Sequence, residues 1–165
     1  MNNEADDKST PDQRWTQAKA LIASIRMHQH YRARKGPTAI VLRKLARLRY
    51  MVWSTLTASD IDPAATLGEG LRLPHPTGVV IHRDAVLGPN CMVMQQVTIG
   101  QLAADGAPKL GANVYVGAGA KILGDITLGD DVRIGANAVV LKDVPAGCTV
   151  VGIPASIVRR QGGNV

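Results

Sequence analysis

The chain has 165 residues, 45% of them hydrophobic but only 3% aromatic, with no Phe, 17 Gly, 9 Pro and a net charge of +6. No apolar run approaches the ~18 residues of a membrane span, and the polar start MNNEADDKSTPDQ has neither the basic nor the apolar region of a secretory signal. Cys91 and Cys148 stand outside any metal-ligand spacing, so neither a disulfide framework nor a metal site is expected, and a reduced, cytoplasmic location is.

Residues 1–12 read as a disordered tail. Helical spacing then runs over 13–35, with Trp15, Ala18, Leu21, Ile22 and Ile25 on one face. Gly36-Pro37 breaks it. A second helix is expected over 38–56, its apolar stripe formed by Ile40, Val41, Leu45, Leu48, Val52 and Leu56. Together these make a helical cap over 13–57. Between Arg26 and Arg49 stand eight Lys or Arg and no Asp or Glu. Such a run is a solvated helix face, or a surface that attracts a polyanion, a membrane or an acidic substrate. Nucleic acid is disfavoured, because no aromatic stacking residues accompany the charge.

From residue 61 the pattern changes. Apolar residues recur every six positions at Ile61, Leu67, Leu73 and Val79. After a two-residue shift the period resumes at Ile81, Leu87, Val93 and Ile99. It is interrupted over 101–109 and continues at Leu110, Val116, Ile122, Leu128, Ile134 and Val140. Gly often follows, as at Gly88, Gly111, Gly117 and Gly135. The fifth position of each hexad is small or aliphatic, as at Ala65, Thr77, Ala85, Cys91, Val97, Val114 and Ala120. A fixed short period of this kind is the signature of a solenoid. Each hexad supplies one short strand and a turn, and three hexads close a triangular coil. Coils stack about 4.8 Å apart through parallel backbone pairing. The interior is then a narrow aliphatic ladder, which accounts for the missing Phe. The expected solenoid covers 58–158, with loop 101–109 extruded and a C-terminal tail over 159–165.

This repeat resembles that of the hexapeptide-repeat acyltransferases, and several stretches resemble the serine O-acetyltransferases more specifically. Asp60-Ile61-Asp62-Pro63 is similar to the segment that opens that family's helix. Leu73-Pro74-His75-Pro76-Thr77-Gly78 is similar to its Asp-His-x-Thr-Gly motif. Val116 to Gly124, Val139 to Pro145 and Val151-Gly152-Ile153-Pro154-Ala155 resemble its later coils and exit. The resemblance extends over residues 28–160. It implies a left-handed parallel β-helix, mainly β, preceded by a short helical segment, although the usual crossover rule favours the other hand. It also implies acetyl-CoA as co-substrate without a required metal, and a homotrimer or dimer of trimers.

Acetyl transfer to an alcohol needs a base to remove the hydroxyl proton as it attacks the thioester. Imidazole suits the task, since this side-chain type changes charge near neutral pH. His75, in a Pro-His-Pro turn at a coil corner, is the candidate base. Asp60 lies 15 residues earlier, just short of one coil, and is the candidate carboxylate that orients it. The resemblance assigns the CoA groove to Ala118, Ala136, Leu141 and Lys142, with Arg159 and Arg160 as further candidates for phosphate. His82 is read as solvent-facing, and His28 and His30 as structural.

The chain also departs from the family. Pro74 replaces the Asp before the catalytic His. Gly106-Ala107-Pro108 replaces the Arg-His-Pro after the loop, and His82-Arg83-Asp84 replaces a Gly-Glu-Thr. The lost charges are those that hold an amino acid's charged ends. Serine therefore stands beside a sugar hydroxyl as acceptor, and a non-catalytic solenoid scaffold is the third reading. A zinc carbonic anhydrase would need three converging histidines, and only His75 and His82 lie in the repeats.

Overall fold

The computed structural model describes residues 13–32, 34–103 and 106–160. The expected tail 1–12, the side chain of Trp15 and residues 161–165 lie outside the described residues.

Two helices come first, α1 (Gln13–Arg32) and α2 (Pro37–Thr57). Helix α1 stops three residues before the expected 35. The turn before Pro37 needs Gly36 at φ 115, a region open only to glycine. Helix α2 ends at Ala58, which takes the left-handed conformation, while Ser59 N–H reaches back to Ser54 O at 3.1 Å. That six-to-one bond satisfies one of the last helical carbonyls.

Helix α1 buries Ala18, Leu21, Ile22 and Ile25 in one core with Ile61, Ala65 and Leu71. Its polar side chains close the open end of the solenoid. Gln29 Nε2 donates to Pro63 O and Ala65 O at 2.9 Å each, and Arg26 Nη2 donates to Gly68 O at 3.0 Å. Those carbonyls have no preceding coil to pair with, so the helix covers an edge that would otherwise be left open. Helix α2 packs differently from its apolar pattern. It turns Ala39 and Ala46 inward and leaves the stripe Ile40, Val41, Leu45, Leu48, Val52 and Leu56 exposed, Val41 by 63% and Leu56 by 61%.

The remaining elements wind into a three-faced parallel solenoid. Face A stacks β1 (Asp60–Ile61), β3 (Val80–Ile81), β6 (Thr98–Gly100), β9 (Lys121–Leu123) and β12 (Val139–Val140). Face B stacks β2 (Thr66–Leu67), β4 (Val86–Leu87), β7 (Lys109–Leu110) and β10 (Thr127–Leu128). Face C stacks β5 (Met92–Val93), β8 (Tyr115–Val116), β11 (Arg133–Ile134) and β13 (Cys148–Val151). A last strand, β14 (Ser156–Arg160), folds back antiparallel on β13 and occupies the first two positions of the expected tail. The inward ladder of face A is Ile61, Ile81, Ile99, Ile122 and Val140, each at most 2% exposed. Both cysteines are free thiols buried in the ladders.

Register records three irregularities. Residues Arg72 and Met92 pair across a coil of 20, whereas Val80 and Thr98 pair across 18, so two extra residues sit between Leu73 and Val79. This insertion moves Thr77 to the surface and puts Val79 in the inward position expected of Thr77. Thr98 and Lys121 are 23 apart, which places five extra residues between β6 and β7. Only the first part of the expected 101–109 loop projects, since Ala107 and Pro108 are buried and Lys109 begins β7. Leu128 pairs with Val144 at a spacing of 16, so the turn carrying Leu141, Lys142 and Asp143 is shortened by two.

Candidate active site

The two-residue insertion is where His75 sits. Pro74 and Pro76 fix their own φ, and each steers the residue before it towards extended backbone. Gly78, at φ 70, closes the turn. Gly78 N–H then donates to Ala58 O, and Asp60 N–H to Val79 O, both at 2.8 Å. Those bonds fasten the segment carrying Asp60 to the segment that follows His75. The Asp60 side chain is exposed and His75 is half-buried. The two make no hydrogen bond or ion pair with each other, and His75 Nδ1 is buried with no hydrogen-bond partner. A buried polar atom left unpaired costs about 1–3 kcal/mol, and native structures keep few of them.

The corner between faces C and A continues below His75. Gln96 N–H donates to Thr77 O, Gly119 N–H to Gln95 O, and Asn137 N–H to Ala118 O. One column therefore carries His75, then Gln95 and Gln96, then Ala118 and Gly119, then Ala136 and Asn137. Gln95 Oε1 is a second buried, unpartnered polar atom in this column, one coil from His75. Lys121 extends from face A to the same corner and donates to Gln96 O at 2.7 Å. Gln95 was not singled out from sequence. The available signal was a pair of glutamines where later coils place Ala118-Gly119 and Ala136-Asn137.

Of the four residues assigned to the CoA groove, Ala118 and Ala136 stand in this column. Leu141 and Lys142 are exposed at the opposite edge of face A, where faces A and B meet. One chain does not bring the two pairs together. Arg159 pairs with Thr149 on face C.

Asp60 also lines a cavity of about 200 Å³ with Asp62, Val80, His82 and Arg83. His82, read as solvent-facing, is half-buried there, and its Nδ1 accepts from Asp84 N–H at 3.2 Å. The cavity combines two carboxylates with one guanidinium, a charge pattern that sequence spacing concealed. A neighbouring cavity of about 380 Å³ shares Asp62 and Arg83 and adds His28, Arg32, Arg47 and Tyr50.

Burial pushes the His28 pKa down, and the Arg32, Arg43 and Arg47 cations push it further, against an opposing Asp62 carboxylate. The folded value lies below the ordinary 6.5, so the unfolded chain binds this proton more readily. The associated stability is present above that value and is lost as pH falls through the window beneath it. Between about pH 7 and about pH 5 the urea midpoint is expected to fall more for the wild type than for His28→Gln. Equal falls would remove His28 as the cause.

Residues 107–142 match the family described as Bacterial transferase hexapeptide (six repeats). The chain is 43% identical over 146 residues to the serine acetyltransferase of Synechococcus elongatus, covering 87% of this chain and 57% of that protein. It superposes with a TM-score of 0.72 on the crystal structure of Brucella abortus serine acetyltransferase in complex with coenzyme A, at 36% identity over 87% of this chain and 56% of that one. The serine complex of Neisseria gonorrhoeae serine acetyltransferase gives 0.69, at 39% identity over 85% and 54%. The chain spans about half the length of the curated relatives it matches. The hexapeptide repeat, the sequence identity and the superposition make the chain serine acetyltransferase-like.

Proposed function

We propose that the protein transfers the acetyl group of acetyl-CoA to a hydroxyl, with L-serine as acceptor and His75 as base. The observation that carries this reading is the unpartnered imidazole at the solenoid's inserted corner, above a column that narrows to Ala118 and Ala136. The imidazole takes the hydroxyl proton as oxygen attacks the thioester carbonyl. Collapse of the tetrahedral adduct expels the CoA thiolate, which recovers that proton from the imidazolium. Asp60 is the group that orients and balances the charged ring.

The relatives' names and the Neisseria serine complex support serine. A sugar hydroxyl is the second reading, favoured by Pro74 and by the buried Ala107 where the family carries charge. Purified protein with acetyl-CoA and L-serine should release free thiol. Release with sugar acceptors and none with serine would replace the first reading with the second.

The working assembly in this reading is a homotrimer. Ala118 and Ala136 stand at one edge of face A and Leu141 and Lys142 at the other, so a complete CoA groove takes one edge from each of two adjoining solenoids. A cytoplasmic location agrees with two buried thiols that are both free.

A further inference from the structure

We propose that the helical hairpin docks the protein on an anionic membrane surface, with α2 lying in the headgroup layer. The apolar stripe of α2 points away from the molecule. Its residues Ile40, Val41, Leu45, Leu48, Val52 and Leu56 are 47% to 63% exposed among the described residues. At about 100° per residue they share one side of the helix, opposite the inward Ala39 and Ala46. Arg43 and Arg47 flank the stripe on one side and Arg49 on the other, while Lys44 stands within it between Ile40 and Leu48. Arg32 of α1 joins the first group, and with His28 they line a cavity of about 310 Å³. None of these arginines, nor Lys44, forms an ion pair within the described chain.

Charge decides the occupant. Residues 13–57 hold ten Lys or Arg and no Asp or Glu, whereas residues 58–165 hold eight against nine. The positive charge is therefore concentrated on the same end as the apolar stripe. A second copy seated on this face would gather the basic residues of two hairpins in one interface with no Asp or Glu from either to offset them. An anionic bilayer supplies phosphates to the flanking cations and an apolar boundary to the stripe. An outward apolar face bordered by Lys and Arg is the arrangement of a helix that lies in the interface plane. No described helix is long and apolar enough to cross a membrane, so the association is peripheral.

The test is flotation of the full chain with vesicles of phosphatidylcholine alone, or with about 30% phosphatidylglycerol. Binding is expected to the anionic vesicles only, and to weaken as salt is raised. Arg43→Gln with Arg47→Gln should weaken partitioning by about thirtyfold. Leu45→Gln with Leu48→Gln and Val52→Gln should abolish it, while circular dichroism and thiol release with a soluble acceptor stay at wild-type values. Wild-type protein that stays with the unbound fraction overturns the proposal. So does a triple variant that keeps its vesicle binding but drops in molar mass by light scattering, which would make the stripe a contact between copies.

Discussion

His75→Ala is expected to lower kcat for acetyl transfer by about 10²- to 10⁴-fold, the usual contribution of a positioned base. The KM for acetyl-CoA should stay near its wild-type value, because the thioester substrate is held by the groove and not by the base. The fold should persist. His75 is half-buried in an inserted corner and contributes nothing to the inward ladders. Removing a ring whose Nδ1 has no partner takes away an unmet hydrogen-bonding demand, so the melting temperature should not fall. Asp60→Asn discriminates further. In this chain the carboxylate is exposed and forms no hydrogen bond or ion pair with the imidazole. An exposed pair is worth up to about 1 kcal/mol, or roughly fivefold in rate. A loss as large as that of His75→Ala would mean that the carboxylate meets the imidazole once both substrates are bound. Steady-state kinetics by thiol release measures both variants, and unchanged kcat in His75→Ala would remove the proposed mechanism.

The periodic part of the molecule was readable because each inward residue recurs at a fixed step. Ile61, Ile81, Ile99, Ile122 and Val140 stack as their spacing implies. What spacing could not supply was the exact register across insertions. Thr77 looked like an inward position, yet the two added residues at His75-Pro76 hand that place to Val79. For the same reason spacing alone does not single out Gln95, the neighbour of His75 in the next coil, and Leu141 and Lys142 lie across face A from Ala118 and Ala136. Asp60 and Arg83 meet in one cavity only because β1 pairs with β3 and so brings the turn after Ile61 onto the turn after Ile81. The helices show a different limit. Periodicity shows that α2 has an apolar side, but not whether the rest of the chain covers it. Here α1 and the first coil take up the alanine side, and the larger residues remain outside.

The second large effect concerns the ladder itself. Ile122→Ala is expected to destabilise the chain by about 2–5 kcal/mol. For a chain of this length, that lowers the melting temperature by on the order of 10 °C. Ile122 is 0% exposed, and its strand β9 pairs with β6 on one side and β12 on the other. The neighbours in its ladder, Ile99 and Val140, are held by their own backbone pairing and cannot collapse into the space. The solenoid interior is also lined by short aliphatic side chains, with no Phe anywhere in the chain to swing across the void. The cost should therefore include most of the cavity contribution as well as the lost burial. Leu67→Ala is the comparison. Leu67 stands in the first coil, is already half-buried, and has a coil on one side only. In a stack stabilised by each coil and its two neighbours, a loss at the end removes one interface's worth of contact and a loss in the middle weakens two. Thermal melts followed by circular dichroism should show the larger drop for Ile122→Ala. Equal drops would mean that the helical cap makes the first coil as tightly bound as the central ones. In that case the bonds from Gln29 and Arg26 to the first coil's carbonyls would carry as much stability as a full coil interface.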